Sequence, residues 1–196
     1  DLLRMGRLAR RHGLALRAHV EQLSSYGSAR VAIAAGARSV DHLSCMPLGD
    51  IPALAAAADC AAVLLPGAEF IGNEHLAPGR ELADAGAVCV LATDLNPGTS
   101  PIVSMPLVAG LAVRRYGWSV KEALLGMTLN AAWVLGLSAE TGALSAGRRA
   151  DVLLLDAPVA QIPYRFGHNP LAAVIIAGRP VWVREDHAWR FAEVGA

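Results

Sequence analysis

The chain has 196 residues, 54% of them hydrophobic, with seventeen lysines and arginines balanced by seventeen aspartates and glutamates. That length and composition can bury a substantial core, which excludes a disordered polymer, and the charge balance leaves no basic surface of the kind that binds nucleic acid. The longest apolar stretch, 51–67, is mostly alanine, carries Pro52 and Asp59, and is too short and too weakly hydrophobic to span a bilayer, so no membrane partner is expected.

The chain opens in a helical pattern, with Leu2, Met5, Leu8 and Ala9 spaced for one face. Arg7, Arg10, Arg11 and His12 follow toward a helix end, where the macrodipole favours cations. A start at Asp1, without methionine and directly in a helix, reads as a cut from a longer polypeptide. From Leu2 to about Leu107, helices alternate with short apolar strands, the pattern of a parallel sheet wrapped by helices. Strands are expected at 14–19, 39–43, 61–65 and 88–93, all read as continuous apolar runs buried on both faces. Helices are expected at 28–35, 52–59 and 78–85, with Gly36 and Gly86 at their C-terminal caps, and a loop over 69–74. Two more helices follow, 102–116 and 119–135, the second opened by Ser119 and Glu122 in the spacing of a capping box. After Thr141-Gly142 the texture changes to strands at 151–156, 171–177 and 180–184, with Gly178-Arg179-Pro180 as a turn. The expected division is 1–138 and 139–196, the second part belonging to a small β-rich domain. Cys45, Cys60 and Cys89 are odd in number and widely spaced, as reduced thiols of a cytoplasmic protein would be.

Three strand ends carry chemistry. The first ends at His19, the second at His42, and the fourth delivers Asp94 into the turn Asn96-Pro97-Gly98-Thr99. In a parallel barrel all strand C-termini open onto one face, so these side chains converge although they are far apart in sequence. Imidazole and carboxylate suit Zn²⁺ or Fe²⁺ with a position left open for water, which points to a metal-centred hydrolase. Gln22 follows His19 by three residues and would reach toward the pocket, whereas Glu21 would point elsewhere. The Pro-Gly turn would aim backbone N–H groups and the Thr99 hydroxyl at an anionic or carbonyl oxygen. His75, in the loop after the third strand, is read as solvated, and His168 and His187 as surface or turn residues. Asp151 and Asp156 are read as structural, pairing with Arg148 or Arg149.

These residues resemble the amidohydrolase superfamily and, within it, the imidazolonepropionases. The resemblance rests on His19-Val20-Glu21-Gln22-Leu23-Ser24, Ser39-Val40-Asp41-His42-Leu43, Asp94-Leu95-Asn96-Pro97-Gly98-Thr99-Ser100-Pro101 and Pro163-Tyr164-Arg165-Phe166-Gly167-His168-Asn169. The superfamily's C-terminal pattern follows as Thr128-Leu129-Asn130-Ala131-Ala132, Gly142-Ala143-Leu144 and Gly147-Arg148-Arg149-Ala150-Asp151-Val152. The resemblance implies the C-terminal half of a metal-dependent (β/α)8 barrel joined to part of a β-sandwich. It implies His19 and Asp94 as ligands of one zinc or iron ion (Fe²⁺ or Fe³⁺), His42 and Asp94 as catalytic residues, and Gln22, Asn96, Gly98 and Thr99 as substrate contacts. The implied reaction is hydrolysis of 4-imidazolone-5-propanoate to N-formimidoyl-L-glutamate in histidine breakdown. The family's first strand supplies a His-x-His pair, which this sequence lacks, so an N-terminal barrel half is the expected partner and the chain is expected to be inactive alone. A homodimer is also compatible with the family. The alternatives are another cyclic-amide amidohydrolase or deaminase, or a non-catalytic half-barrel that needs a partner chain.

Overall fold

Helix α1 (Leu2–Arg11) ends where Gly13 takes a left-handed φ of 66°, and the amides of Gly13 and Leu14 fold back onto the carbonyls of Arg10 and Ala9. Leu14 and Ala15 are thereby used as connection, so the first strand, β1 (Leu16–Val20), starts two residues after the expected position and runs one past His19. The structure is a computed structural model that describes residues 1–72 and 75–191. The chain continues through α2 (Ser28–Ala34), β2 (Ala37–His42), a 3-10 turn at Leu48–Asp50, α3 (Ile51–Ala55), β3 (Ala61–Leu64), α4 (Pro66–Gly72), α5 (Gly79–Asp84) and β4 (Val88–Leu91). The four strands pair in parallel in the order β1-β2-β3-β4, which successive helix-strand units generate. Gly36 and Gly86 follow α2 and α5 with φ of 75° and 82°, as their sequence positions require.

Three expectations need correction. Helix α3 stops at Ala55 rather than 59, because the following amides close short turns instead, Ala57 onto Leu54 and Cys60 onto Ala57. The expected loop over 69–74 is helical through Gly72: Pro66 follows β3 after one residue and its fixed φ suits the first helical position. Asn73 and Glu74, the end of that expected loop, lie outside the described residues. Strand β1 is not buried on both faces either, since Ala18 and Val20 are buried while Arg17 and His19 are exposed.

The pairing register separates two faces. Ala18, Val20, Val40, Ala62, Leu64, Cys89 and Leu91 join the core under the helices. On the other face, register aligns Arg17 with Ser39, then His19 with Asp41, then Asp41 with Val63 and Val63 with Val90. This second face is polar on β1 and β2, where Arg17 pairs with Asp41 at 3.3 Å and Ser39 donates to the same carboxylate at 2.7 Å. It is apolar on β3 and β4, where Ala61, Val63 and Val90 form a cluster with Leu65, Ala68 and Val134.

Helix α6 (Met105–Arg115) begins three residues later than expected because the Ser104 hydroxyl accepts the Leu107 amide as an N-cap. The single helix expected over 119–135 is two, α7 (Val120–Met127) and α8 (Leu129–Val134), broken at Thr128. The Thr128 hydroxyl donates back to the Leu124 carbonyl, a local bond that bends helices. The capping box forms as expected, the Ser119 hydroxyl accepting from the Glu122 amide and the Glu122 carboxylate from the Ser119 amide. Glu122 also takes a 2.6 Å ion pair from Arg80 on α5.

That pair supports a stability prediction. The Arg80 hydrogen bonds, followed by the Ser119 amide, pull the Glu122 carboxyl down to about 2. A depressed carboxylate contributes stability above its unfolded pKa, and loses it as pH falls toward the folded value. Glu122→Gln should therefore lower thermal stability at pH 7 by no more than about 1 kcal/mol, as partly solvated pairs do, and the deficit should shrink as pH drops from about 4.5 toward 2. Thermal unfolding at pH 7 and pH 3 measures both, and an equal deficit at the two would assign the effect to packing.

The tail forms an antiparallel sheet of β5 (Val152–Leu155), β6 (Leu171–Ile176) and β7 (Arg179–Val183). The Pro163-Tyr164-Arg165-Phe166 run begins at the end of a short helix, α9 (Gln161–Tyr164), which packs against α6. A 3-10 segment at Glu185–Phe191 follows β7, and residues 192–196 of the expected β-rich part lie outside the described ones. Asp151 pairs with Arg149 at 2.6 Å, as expected. Asp156 pairs instead with Arg184 at 2.7 Å, because antiparallel pairing brings the end of β7 beside the end of β5. Among the described residues no helix is long and apolar enough to cross a membrane.

Candidate active site

Among the described residues, four of the five non-glycine ones with left-handed φ stand where strands of the parallel sheet end: Glu21 (53°), His42 (81°), Leu43 (66°) and Asp94 (52°). Such conformations cost of order 1–3 kcal/mol each and persist only where the surroundings over-determine them. Here the neighbouring strand ends do so. The Leu43 amide donates to the Val20 carbonyl at 3.2 Å and the Cys45 amide to the Glu21 carbonyl at 2.8 Å, tying the loop after β2 to the end of β1.

His19 and His42 meet at this edge, their ring centroids 4.1 Å apart and inclined by 41°. By strand alternation His42 would share the outer face with Val40, but the turn at its own backbone brings its ring against His19 instead. His42 is buried, whereas His19 is open. Burial first, and His19 second, hold the His42 imidazole below its usual pKa, while the charges of Asp94 and Asp41 oppose them. The balance favours the neutral imidazole. Its Nδ1 is buried with no hydrogen-bond partner among the described residues.

Asp94 is aimed by its loop. The Asn96 carboxamide donates to the Asp94 carbonyl at 2.7 Å, and the Ser100 hydroxyl to the Thr93 carbonyl at 2.6 Å. Asn96 Oδ1 accepts the Gly98 amide at 2.9 Å, the Thr99 amide at 2.7 Å and the Thr99 hydroxyl at 3.2 Å. The oxygen at which the turn aims its N–H groups and the Thr99 hydroxyl is the chain's own Asn96 Oδ1, because that short polar side chain competes for nearby backbone amides. Gln22 is half-buried, and its carbonyl accepts from the Cys45 thiol at 3.5 Å. Glu21 is buried, and its carboxylate accepts the Ala29 amide at the start of α2 at 3.4 Å.

His75 is exposed in its loop, and His168 and His187 lie in the tail, near Asp156 and Asp186. None joins the cluster. The cysteines carry no disulfide, Cys60 and Cys89 being buried and Cys45 half-buried. Among the described residues no group of three or more histidine, cysteine or acidic side chains is placed to hold a metal.

A family model described as the amidohydrolase family matches residues 1–181. The chain belongs to the amidohydrolase family. It is 50% identical over 169 residues to an imidazolonepropionase of Rubrobacter xylanophilus, an alignment covering 85% of this chain and 40% of the relative. It is 43% identical over 171 residues to that of Deinococcus radiodurans and 44% over 175 residues to that of Agrobacterium fabrum, covering 87% and 88% of this chain and 42% of each relative. This amidohydrolase chain thus spans about two-fifths of the length of the curated relatives it matches. Among solved structures it resembles an adenosine deaminase from Xanthomonas campestris with bound zinc, with a TM-score of 0.79 at 18% identity over 93% of this chain and 48% of that one. A triazine hydrolase variant aligns with a TM-score of 0.72 at 23% identity, covering 92% of this chain and 46% of that one. At such identities the likeness speaks to the fold, the barrel architecture expected from alternating helices and parallel strands.

Two side chains behind the candidate site were given no role by sequence reasoning. Glu69 is almost fully buried and accepts from Ser44 at 3.0 Å, and Ser100 is fully buried under the Asp94 loop. The available signal was Pro66-Gly67 directly after an apolar strand, which starts a helix and places Glu69 in its first turn.

Proposed function

We propose that this chain carries the strand-end groups of an amidohydrolase that opens the cyclic amide of 4-imidazolone-5-propanoate to N-formimidoyl-L-glutamate. The observation that carries the reading is the contact of the His19 and His42 rings at the C-terminal edge of one parallel sheet, the edge into which β4 also delivers its following loop with Asp94. The identity to imidazolonepropionases over most of this chain supports the substrate. Residues 1–138 then form the second half of a barrel, and 139–196 part of the β-rich domain.

The donor set fits part of a zinc or iron site. His19 offers an open imidazole and Asp94 a carboxylate, the ligand types such ions take, and the remaining ligands would come from an N-terminal half. The metal would supply Lewis acidity, making water acidic enough to attack an amide at neutral pH. Asp94 takes the proton from the attacking water on its carboxylate and returns it to the ring nitrogen as the carbon–nitrogen bond breaks. His42, neutral through its burial, donates a hydrogen bond to the carbonyl oxygen as negative charge develops there. Gln22 reaches the substrate from the end of β1, and Gly98 and Thr99 border it at the Asp94 turn. Asn96 adds a contact at the same edge while holding the Asp94 carbonyl. A metabolic hydrolase with three free cysteines belongs in the cytoplasm.

The test is product identification with 4-imidazolone-5-propanoate after joining this chain to an N-terminal barrel half bearing His-x-His. Formation of N-formimidoyl-L-glutamate supports the reading, while release of ammonia from an amino-purine instead would make the protein a deaminase. Metal content provides a separate check. With two ligand side chains, the 196-residue chain should retain well under one equivalent of zinc or iron after dialysis, and the joined protein about one, since catalytic zinc needs about three protein ligands. Elemental analysis decides, and a full equivalent held by this chain alone would contradict the ligand assignment.

A further inference from the structure

Helix α4 braces both loops that carry the candidate catalytic side chains. Helix α4 packs closely on the segment following Asp94: a Cβ at Gly67 would come within 2.8 Å of the Ile102 Cδ1 and 3.4 Å of the Ser100 hydroxyl. Two residues later, Glu69 is 2% exposed and receives three donors, the Ser44 hydroxyl at 3.0 Å, the Ala77 amide at 2.9 Å and the Tyr116 hydroxyl at 2.6 Å. Ser44 is itself 5% exposed and lies two residues beyond His42, across Leu43, whose backbone is left-handed. The far side of the anchor is stiff. Tyr116 packs on Trp118 with ring centroids 5.8 Å apart, and the Trp118 indole donates to the Gly79 carbonyl at 2.8 Å.

We propose that Glu69 is a positioning residue for His42, holding through Ser44 the left-handed turn that sets the imidazole against His19. The inference rests on the reading of His42 as the group that faces the substrate carbonyl. A buried acid with three partners is more than a core filler needs, since an apolar side chain of the same volume would fill the space without desolvating a carboxyl. What Glu69 adds is direction: its two oxygens fix the loop after β2, the segment after α4 and the end of α6 relative to one another. The Ser44 bond is the one that reaches the site. Burial pushes the Glu69 carboxyl above its usual pKa while the three donors pull it down, so an uncharged amide of the same shape fits the same partners. Glutamine would accept from Ser44 and Ala77 with its oxygen and donate to the Tyr116 oxygen with its nitrogen.

The experiment compares Ser44→Ala, Glu69→Ala, Glu69→Gln and His42→Asn in the chain joined to an N-terminal barrel half, measuring kcat, KM and bound metal. Ser44→Ala and Glu69→Ala should lower kcat by roughly 10-fold or more, with KM within about 2-fold and metal retained, because misplacement of a catalytic group by a fraction of an ångström acts on the transition state rather than on substrate binding. Glu69→Gln should bring kcat back to within about 3-fold of the parent. Parental kcat in either alanine variant would overturn the inference, as would a glutamine variant as impaired as the alanine one. If Glu69→Ala fails to fold, Ser44→Ala and Glu69→Gln decide alone. Should His42→Asn leave kcat unchanged, the reading of His42 fails first. Should it lower kcat while Ser44→Ala does not, only the role of Glu69 is lost.

Discussion

Asp94→Asn, in the chain joined to an N-terminal barrel half, should lower kcat by on the order of 10³-fold or more while leaving the fold intact. Asparagine tolerates the left-handed backbone that Asp94 adopts, with φ of 52°, and the carbonyl held by the Asn96 carboxamide is unchanged. The loop should therefore keep its shape, and thermal unfolding should shift by only a degree or two. What disappears is the proton acceptor and one negative charge. Its removal also takes away an influence that raises the His42 pKa, so the substitution pushes the imidazole further toward its neutral form. Because the carboxylate is also a proposed ligand, kcat should be measured at saturating zinc or iron, with bound metal determined alongside. A residual rate within 10-fold of the parent at full metal occupancy would remove Asp94 from the proton-transfer role.

His42→Asn is expected to lower kcat by about 10²- to 10³-fold with metal content preserved, the range found when one preorganised donor to an oxyanion is lost. Asparagine is a cleaner replacement than alanine here. At a φ of 81° alanine would add backbone strain, whereas asparagine visits this region readily. The ring contact with His19 is lost in either case, and the cavity left by a residue only 3% exposed will cost some stability. Kinetics and metal analysis separate the two roles open to an imidazole at this place. A protein that loses its metal together with its turnover would make His42 a ligand, and the assignment of His19 and Asp94 as this chain's ligands would need a third member.

Much of the site was legible in the sequence because the chemistry lies at strand ends. An apolar run that stops at histidine or at Thr-Asp, followed by residues unsuited to helix or strand, marks where a parallel strand meets its loop, and parallel strands all deliver their ends to one edge. His19, His42 and Asp94 could thus be grouped although 23 and 52 positions separate neighbours in the set, by subtraction of their residue numbers. The inward closure of the Asn96 turn was not legible. Pro-Gly predicts a turn in either case, and only the placement of Ser100 beneath it, with the Ser100 carbonyl accepting the Asn96 amide at 3.0 Å, decides where the amides of Gly98 and Thr99 point.

Local sequence determined the alternation of helix and strand, the left-handed glycines after α2 and α5 and the Ser119 capping box, because each depends on residues within one or two turns of one another. Tertiary structure decided the polar face of β1 and β2, the pairing of Asp156 with Arg184 and the burial of Glu69. The partners of Glu69 lie 25 positions upstream at Ser44 and 47 downstream at Tyr116. No periodicity in a short window can register such a contact, since an acidic residue in a helix's first turn satisfies the helix equally well in water. Whether it faces solvent or core is settled by which segments the fold packs on it, and here they are the loops that hold the candidate site.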